Sequence, residues 1–355
     1  MIGPRLRVGV VGLGYWGPNL VRNFHDVPDV DVAWICDLRE ERLEQLGRRY
    51  PAVRRTTDFG DLLSDDGLDA IAIASPVGTH YALAAAALRS GKHVFVEKPL
   101  AASAAEGSAL VKMAEAHGLV LMPGHTFLYS PPVNLIRELI VSGALGDLYF
   151  ISMSRVNLGL HQPDVSVVWD LAPHDLSILD FILPDGLRPV EVTAHGADPL
   201  GTGQACVGHL TFALANDAMA HVHVNWLSPT KIRQLVVGGS RRTLVWDDLN
   251  PQQRLSVYDR GVSLDRQSPS AADRKNSAIS YRLGDTWSPA LPEHEALGEM
   301  VAEFANSIWQ QRPARTSGAS GLRVLSVLEA VSDSLSADGK ASIVVGNEPQ
   351  LEASR

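Results

Sequence analysis

Apolar positions in the first third of the chain fall into short runs separated by helix-period stretches. Residues 6–11 and 30–36 are apolar runs that predict strands, with a helix over 16–25 between them and a second helix, charged on its outer face, over 40–50. Ala70-Ile71-Ala72-Ile73-Ala74 is apolar on both faces, as a buried parallel strand requires. An alanine-rich helix over 81–89, a stop at Gly91, a strand over 93–96, a helix over 104–117 and a strand over 119–122 continue the alternation. Some six strands separated by helices predict a doubly wound parallel sheet.

Near Pro123-Gly124 the pattern changes. Beyond a helix over 133–142 and a strand over 149–153, the segments 206–212 and 219–226 alternate with period two, joined by the turn-like Asn216-Asp217. Such patterning predicts antiparallel strands with one covered face. Residues 235–239 and 242–246 predict a hairpin with Gly238-Gly239-Ser240 at its tip, and the Ser-, Pro- and Asp-rich stretch 265–276 a surface loop. Helices over 295–310 and 318–337 close the chain. The fold class expected is α/β: a doubly wound dinucleotide-type (Rossmann) domain over 1–124, then an α+β domain over 125–355 on an open, mainly antiparallel sheet. The closing helices are free to pack back on the first domain.

Composition narrows the classes. The 355 residues carry a formal charge of −9 and are 45% hydrophobic, so the chain is expected to be an ordinary globular protein with no general attraction for nucleic acid or anionic lipid. Cys36 and Cys206, far apart and without metal-type spacing, read as reduced thiols of a cytoplasmic protein. The first strand begins too early for a secretion signal, and no apolar run approaches the roughly 20 residues of a membrane helix. His221 and His223 alternate on one strand without a convincing third ligand, so no metal is expected.

The candidate chemistry starts at the first predicted strand, which runs straight into Gly12-x-Gly14-x-x-Gly17. Three glycines at this spacing suit a dinucleotide: one for the tight turn, one for close approach of the pyrophosphate, one for helix packing. Asp37 ends the second strand twenty residues beyond Gly17, where a carboxylate meets the ribose hydroxyls. Its charge would repel a 2′-phosphate and so favours NAD, while nearby Arg39 leaves NADP open. Lys98, in Glu97-Lys98-Pro99, directly follows a strand at the sheet's carboxyl edge, and reads either as a ligand-facing amine or as an exposed turn lysine.

Farther on, Pro173 is tolerated in a helix's first turn, so the helix carrying Trp169-Asp170-Leu171-Ala172-Pro173-His174 is expected to start around Asp170 with that residue as N-cap. Asp170 and His174 then share a face one turn apart, suited to an oriented proton carrier; the plainer alternative is a cap and a structural histidine. Arg155 and Asn157, leaving the strand over 149–153, are candidates for binding a phosphate or sugar hydroxyl. Trp226 and Trp246 read as packing groups.

Taken in order, Gly12-x-Gly14-x-Trp16-Gly17, Ser75-Pro76-x-x-x-His80, Glu97-Lys98-Pro99 and Asp170-x-x-x-His174 resemble the glucose-fructose oxidoreductase and inositol dehydrogenase (Gfo/Idh/MocA) family over nearly the whole chain. The resemblance implies Lys98, Asp170 and His174 as catalytic residues, with His174 as acid or base. It implies cofactor contacts from Gly12, Gly14, Tyr15, Trp16, Gly17, Asp37, Leu38, Ser75, Pro76, His80, Glu97 and Lys98, and a cis bond before Pro99. A homodimer or homotetramer through the open sheet is implied as well. The chain departs from the family in Val167-Val168-Trp169 and Leu171-Ala172-Pro173, where glycines are common, and lacks the arginine frequent near Gly124 to Pro131, so Tyr129 would face the substrate. The Asp-Leu-Ala-Pro-His-Asp variant is most similar to members acting on nucleotide-linked amino sugars. The expected function is therefore NAD-dependent hydride transfer at a ring carbon of a sugar or sugar nucleotide, for example 3-dehydrogenation of a UDP-N-acetylamino sugar. An NADP-dependent ketoreductase on a deoxysugar nucleotide and a non-catalytic cofactor-binding sensor or scaffold are the alternatives.

Overall fold

The computed structural model describes residues 5–159, 165–214, 217–264 and 279–344. The chain forms two compact units. In the first, β1 (Leu6–Val11), β2 (Val30–Cys36), β3 (Arg54–Thr56), β4 (Ala70–Ile73), β5 (His93–Val96) and β6 (Leu121–Pro123) make a parallel sheet in the order β3-β2-β1-β4-β5-β6. Helices α1 (Gly17–Asp26), α2 (Glu40–Arg49), α3 (Phe59–Leu63), α4 (His80–Arg89) and α5 (Ala104–His117) make the crossovers. Val8, Val10, Ile71, Ile73 and Val94 are wholly buried, which is why these strands are apolar on both faces. Strand order reverses between β1 and β4. Loops leaving those two strands therefore part at the point where doubly wound sheets take their ligands.

The second unit begins at Pro131 with α6 (Pro131–Val141) and β7 (Leu148–Leu158), followed by α7 (Val167–Ile182). Seven strands then complete most of its sheet: β8 (Glu191–Ala197), β9 (Val207–Ala213), β10 (Met219–Asn225), β11 (Leu227–Gly239), β12 (Thr243–Asp247), β13 (Leu255–Leu264) and β14 (Ile279–Trp287). With β15 (Ser342–Ile343) the order is β14-β13-β12-β11-β7-β10-β9-β8-β15, antiparallel except between β7 and β10. Helix α7 lies on β7, β9 and β10, where Met153, Leu210 and Val222 are buried. The other face is half polar. His209 lies directly opposite His223 across β9 and β10, and their rings stack at 4.2 Å. Among the described residues no group of three potential ligands is placed to hold a metal. The predicted loop over 265–276, and Asn216 of the predicted turn, lie outside the described residues.

Helix α8 (Ala296–Trp309) returns to the first unit, to which Glu293–Glu329 belong. Phe304 is the reason: its ring meets Phe24 of α1 at 6.1 Å and Phe95 of β5 at 5.9 Å, edge to face. Each such pair adds about 0.5–1.5 kcal/mol to the burial itself. Arg22 fastens the start of α8 through two bonds to Glu295. The final helix, α9 (Gly318–Ser336), is divided between the units after Glu329. No helix among the described residues is long and apolar enough to cross a membrane.

Candidate active site

The three motif glycines are needed for three different reasons. At Gly12, φ is +86° and a Cβ would stand 2.7 Å from the backbone of Ala74 and Ser75, so the turn after β1 packs directly on the loop after β4. A Cβ at Gly17 would lie 2.0 Å from the Gly12 carbonyl oxygen, which fixes the entry into α1. Gly14 faces open space, its nearest neighbour being Arg42 Nη1 at 3.9 Å. That open face is the cradle a pyrophosphate requires, and a side chain there would fill it. Trp16 stands at the N-cap of α1 without a side-chain bond, leaving the positive end of the helix bordering the turn. Tyr15, inside the glycine motif, and Leu38, directly after Asp37, are 81% and 89% exposed.

Asp37 is 8% exposed and already carries a load. Oδ2 accepts from the Leu13 amide at 2.6 Å and from Arg42 at 3.3 Å, while Oδ1 accepts from the Arg39 amide at 2.9 Å. A carboxylate offers about four acceptor sites, so one remains for a sugar hydroxyl. The donor set and the open glycine face fit NAD. Gly12, Gly14, Gly17 and Asp37 are the residues that would hold it.

Loops after β4 and β5 complete this edge. Ser75 Oγ and Thr79 Oγ1 are 2.6 Å apart, and Thr79 Oγ1 donates to the Pro76 carbonyl at 2.7 Å, closing a tight turn into α4. The Lys98–Pro99 bond is cis. Lys98 is half-buried one residue past Glu97, which itself follows β5. Glu97 is buried: Oε2 accepts from the Lys98 amide at 3.3 Å, and Oε1 has no hydrogen-bond partner among the described residues. Burial pushes its pKa up to about 7 against the opposing pull of Lys98. His80, expected to touch the cofactor, is instead 1% exposed, with both ring nitrogens 2.9 Å from backbone carbonyls, of Pro99 and of Ser75. Burial lowers its pKa. Its polar atoms therefore serve the loops and not an open surface.

Tyr129 is likewise turned inward. Its hydroxyl lies 2.9 Å from Thr316 Oγ1, Arg315 stacks over the ring, and only 3% of the residue is exposed. Burial raises its pKa. The structure thus gives this side chain a packing role in the first unit in place of the expected substrate contact.

In the second unit, α7 begins a turn earlier than Pro173 suggested. Ser166 is the N-cap, accepting from the Trp169 amide at 3.4 Å, and Pro173 sits inside the helix. An interior proline costs about 3 kcal/mol. Val167 and Val168 are wholly buried, and burial of two such side chains returns roughly 1.5–3 kcal/mol each, enough to offset it. Asp170 is thus a first-turn residue and not the cap. Its Oδ2 accepts from Trp226 Nε1 at 3.3 Å, so Trp226 does more than pack. One turn on, His174 is half-buried.

Arg155 and Asn157 lie within β7, which runs on to Leu158. Arg155 is expected to meet a ligand, but it is buried and grips Asp175: Nε donates to both carboxylate oxygens at 3.1 and 3.0 Å, and Nη2 to Oδ1 at 2.8 Å. This pair ties α7 to β7 beside His174. Asn157 is half-buried two residues further along the same strand face. Asp175 escaped sequence reasoning. The signal was available, since an arginine in an alternating strand on the buried face needs a counter-charge.

Comparison with known proteins gives the family. Residues 6–125 match the profile described as an oxidoreductase family with an NAD-binding Rossmann fold, and residues 133–245 match the GFO/IDH/MocA C-terminal domain. The UDP-N-acetylglucosamine 3-dehydrogenase of Acidithiobacillus ferrooxidans is 27% identical over 324 residues, 90% of this chain and 94% of that protein. Its solved structure superposes with a TM-score of 0.77 at 24% identity, covering 94% of this chain and 98% of that one. The structure of GenD2 from gentamicin A biosynthesis in complex with NAD gives a TM-score of 0.79 at 24% identity, with 97% of each chain covered. The chain belongs to the Gfo/Idh/MocA oxidoreductases, enzymes built on an NAD-binding Rossmann fold.

Proposed function

We propose that the enzyme oxidises a ring hydroxyl of a sugar nucleotide, with 3-dehydrogenation of a UDP-N-acetylamino sugar as the specific reaction. The observation that carries the reading is Lys98, two residues beyond the end of β5 on the sheet edge where Gly12 packs against the loop after β4. Bound NAD supplies a hydride acceptor at nicotinamide C4. Lys98 polarises the reacting oxygen, and His174 moves its proton, with Asp170 one turn earlier on α7 to orient its ring. Glu97 backs the Lys98 amide. The substrate class is supported by the likeness to the UDP-N-acetylglucosamine 3-dehydrogenase, which extends over 90% of the chain.

A homo-oligomer through the second unit's sheet belongs to the same proposal, supported by exposed Phe150 and Met219 opposite each other on β7 and β10. Buried, unpaired Cys36 and Cys206 suit a cytoplasmic location. Reduced-nicotinamide absorbance over UDP-N-acetylglucosamine, UDP-glucose, N-acetylglucosamine and myo-inositol is the test. Turnover is expected with the first and not with the last. NAD binding without turnover on any of them would replace the enzyme's proposed substrate class with a sensor.

A further inference from the structure

We infer that His80 is the positioning residue for Lys98, acting through the backbone of the loop that carries it. The inference rests on the proposed role of Lys98. Strands β4 and β5 are parallel neighbours, with Ile73 in register with Val96, so the loops that leave them emerge side by side. The imidazole of His80 spans the two loops: Nδ1 meets the carbonyl of Pro99, immediately after Lys98, and Nε2 meets the carbonyl of Ser75, each at 2.9 Å. On the other side, the backbone of Ser75 is packed against Gly12. A line of contacts thus runs from the glycine turn through Ser75 and the buried ring to the residue that sets the course of Lys98.

The chemistry of the ring makes the two ends unequal. A carbonyl oxygen accepts and needs an N–H opposite it, and a neutral imidazole has one N–H to give. Burial disfavours the doubly protonated form. Donation toward Pro99 holds the Lys98 loop, and donation toward Ser75 holds only the neighbouring turn. Asparagine places its amide nitrogen near the Nδ1 position and glutamine near Nε2, so the two variants separate the ends.

Steady-state kinetics with UDP-N-acetylglucosamine or the best substrate of the panel, on His80→Ala, His80→Asn, His80→Gln and Lys98→Ala, tests this. His80→Ala and His80→Gln should lower kcat roughly 10- to 100-fold, the scale of a misplacement of about 1 Å, with KM for NAD within about threefold. His80→Asn should retain kcat within about threefold. In the Lys98→Ala background, adding His80→Ala should change nothing further, because the histidine acts through the lysine. Full kcat in His80→Ala, equal losses in the Asn and Gln variants, or a further additive loss in the double variant overturns the inference. Unchanged turnover in Lys98→Ala instead sinks the reading of Lys98 beneath it.

Discussion

At Lys98 the backbone is held by a histidine ring between two carbonyls; at His174 the helix is held by a guanidinium locked onto a carboxylate. The first tether is dipolar. Its single N–H···O bond contributes about 0.5–1.5 kcal/mol net, and losing the ring leaves two carbonyls that water or small backbone shifts can satisfy. The second is ionic, with Arg155 and Asp175 side chains 5% and 4% exposed, so removal of one partner strands a charge in the interior. Damage to the two should accordingly surface in different measurements: rate for the dipolar tether, stability for the ionic one.

The largest effects test the premise that both tethers serve reacting groups. Lys98→Met and His174→Gln should each reduce turnover about 10²- to 10⁴-fold while NAD affinity by calorimetry stays nearly the same. If both retain wild-type turnover, neither tether has a catalytic group to hold. Next in size, Asp175→Ala should lower stability to urea by about 3–5 kcal/mol, whereas the double change Arg155→Met with Asp175→Leu should recover most of it. A single variant as stable as the parent would show that the pair is no anchor.

Glu97 sharpens the contrast because it adds a buried titrating group to the dipolar side. Its carboxyl holds a proton to about pH 7 in the folded chain and releases it near 4.5 when unfolded. The favourable contribution is therefore complete below the unfolded value and disappears as pH rises through the folded one. Up to about 3 kcal/mol is at stake, at 1.36 kcal/mol per unit. Glu97→Gln should flatten this dependence, and urea midpoints taken at about pH 5 and about pH 8 would expose a parallel slope if the carboxyl is not responsible. Smallest of all, Ser166→Ala should loosen the start of α7 by about 1 kcal/mol, seen as faster amide exchange at Val168 and Trp169.

Much of the first unit was legible because its strands are apolar on both faces and its glycines sit where backbone contacts leave no room for a Cβ. Those are local demands, written at the residues that meet them. The second sheet was legible in its alternation but not in its extents. Strand β7 continues past Met153 because Arg155 has a counter-charge on α7, a fact that lies twenty residues away. Helix α7 hid its start behind Pro173, since the rule against interior proline knows nothing of how deeply Val167 and Val168 are buried. Tyr129 pairs with Thr316, 187 residues distant, and His80 with carbonyls whose positions depend on strand order. Among the candidate site residues, tertiary partners decided which side chains are presented and which are scaffolding.

Asp37 shows what that distinction means for anyone redesigning coenzyme preference. The carboxylate that would repel an extra phosphate also holds the Leu13 amide at 2.6 Å, so it buttresses the very bend on which a dinucleotide would rest. Swapping it for alanine to admit a phosphorylated ribose would unbrace that bend at the same stroke. Serine or asparagine, which keep an acceptor within reach of the amide, are the replacements through which selectivity and architecture can be varied apart.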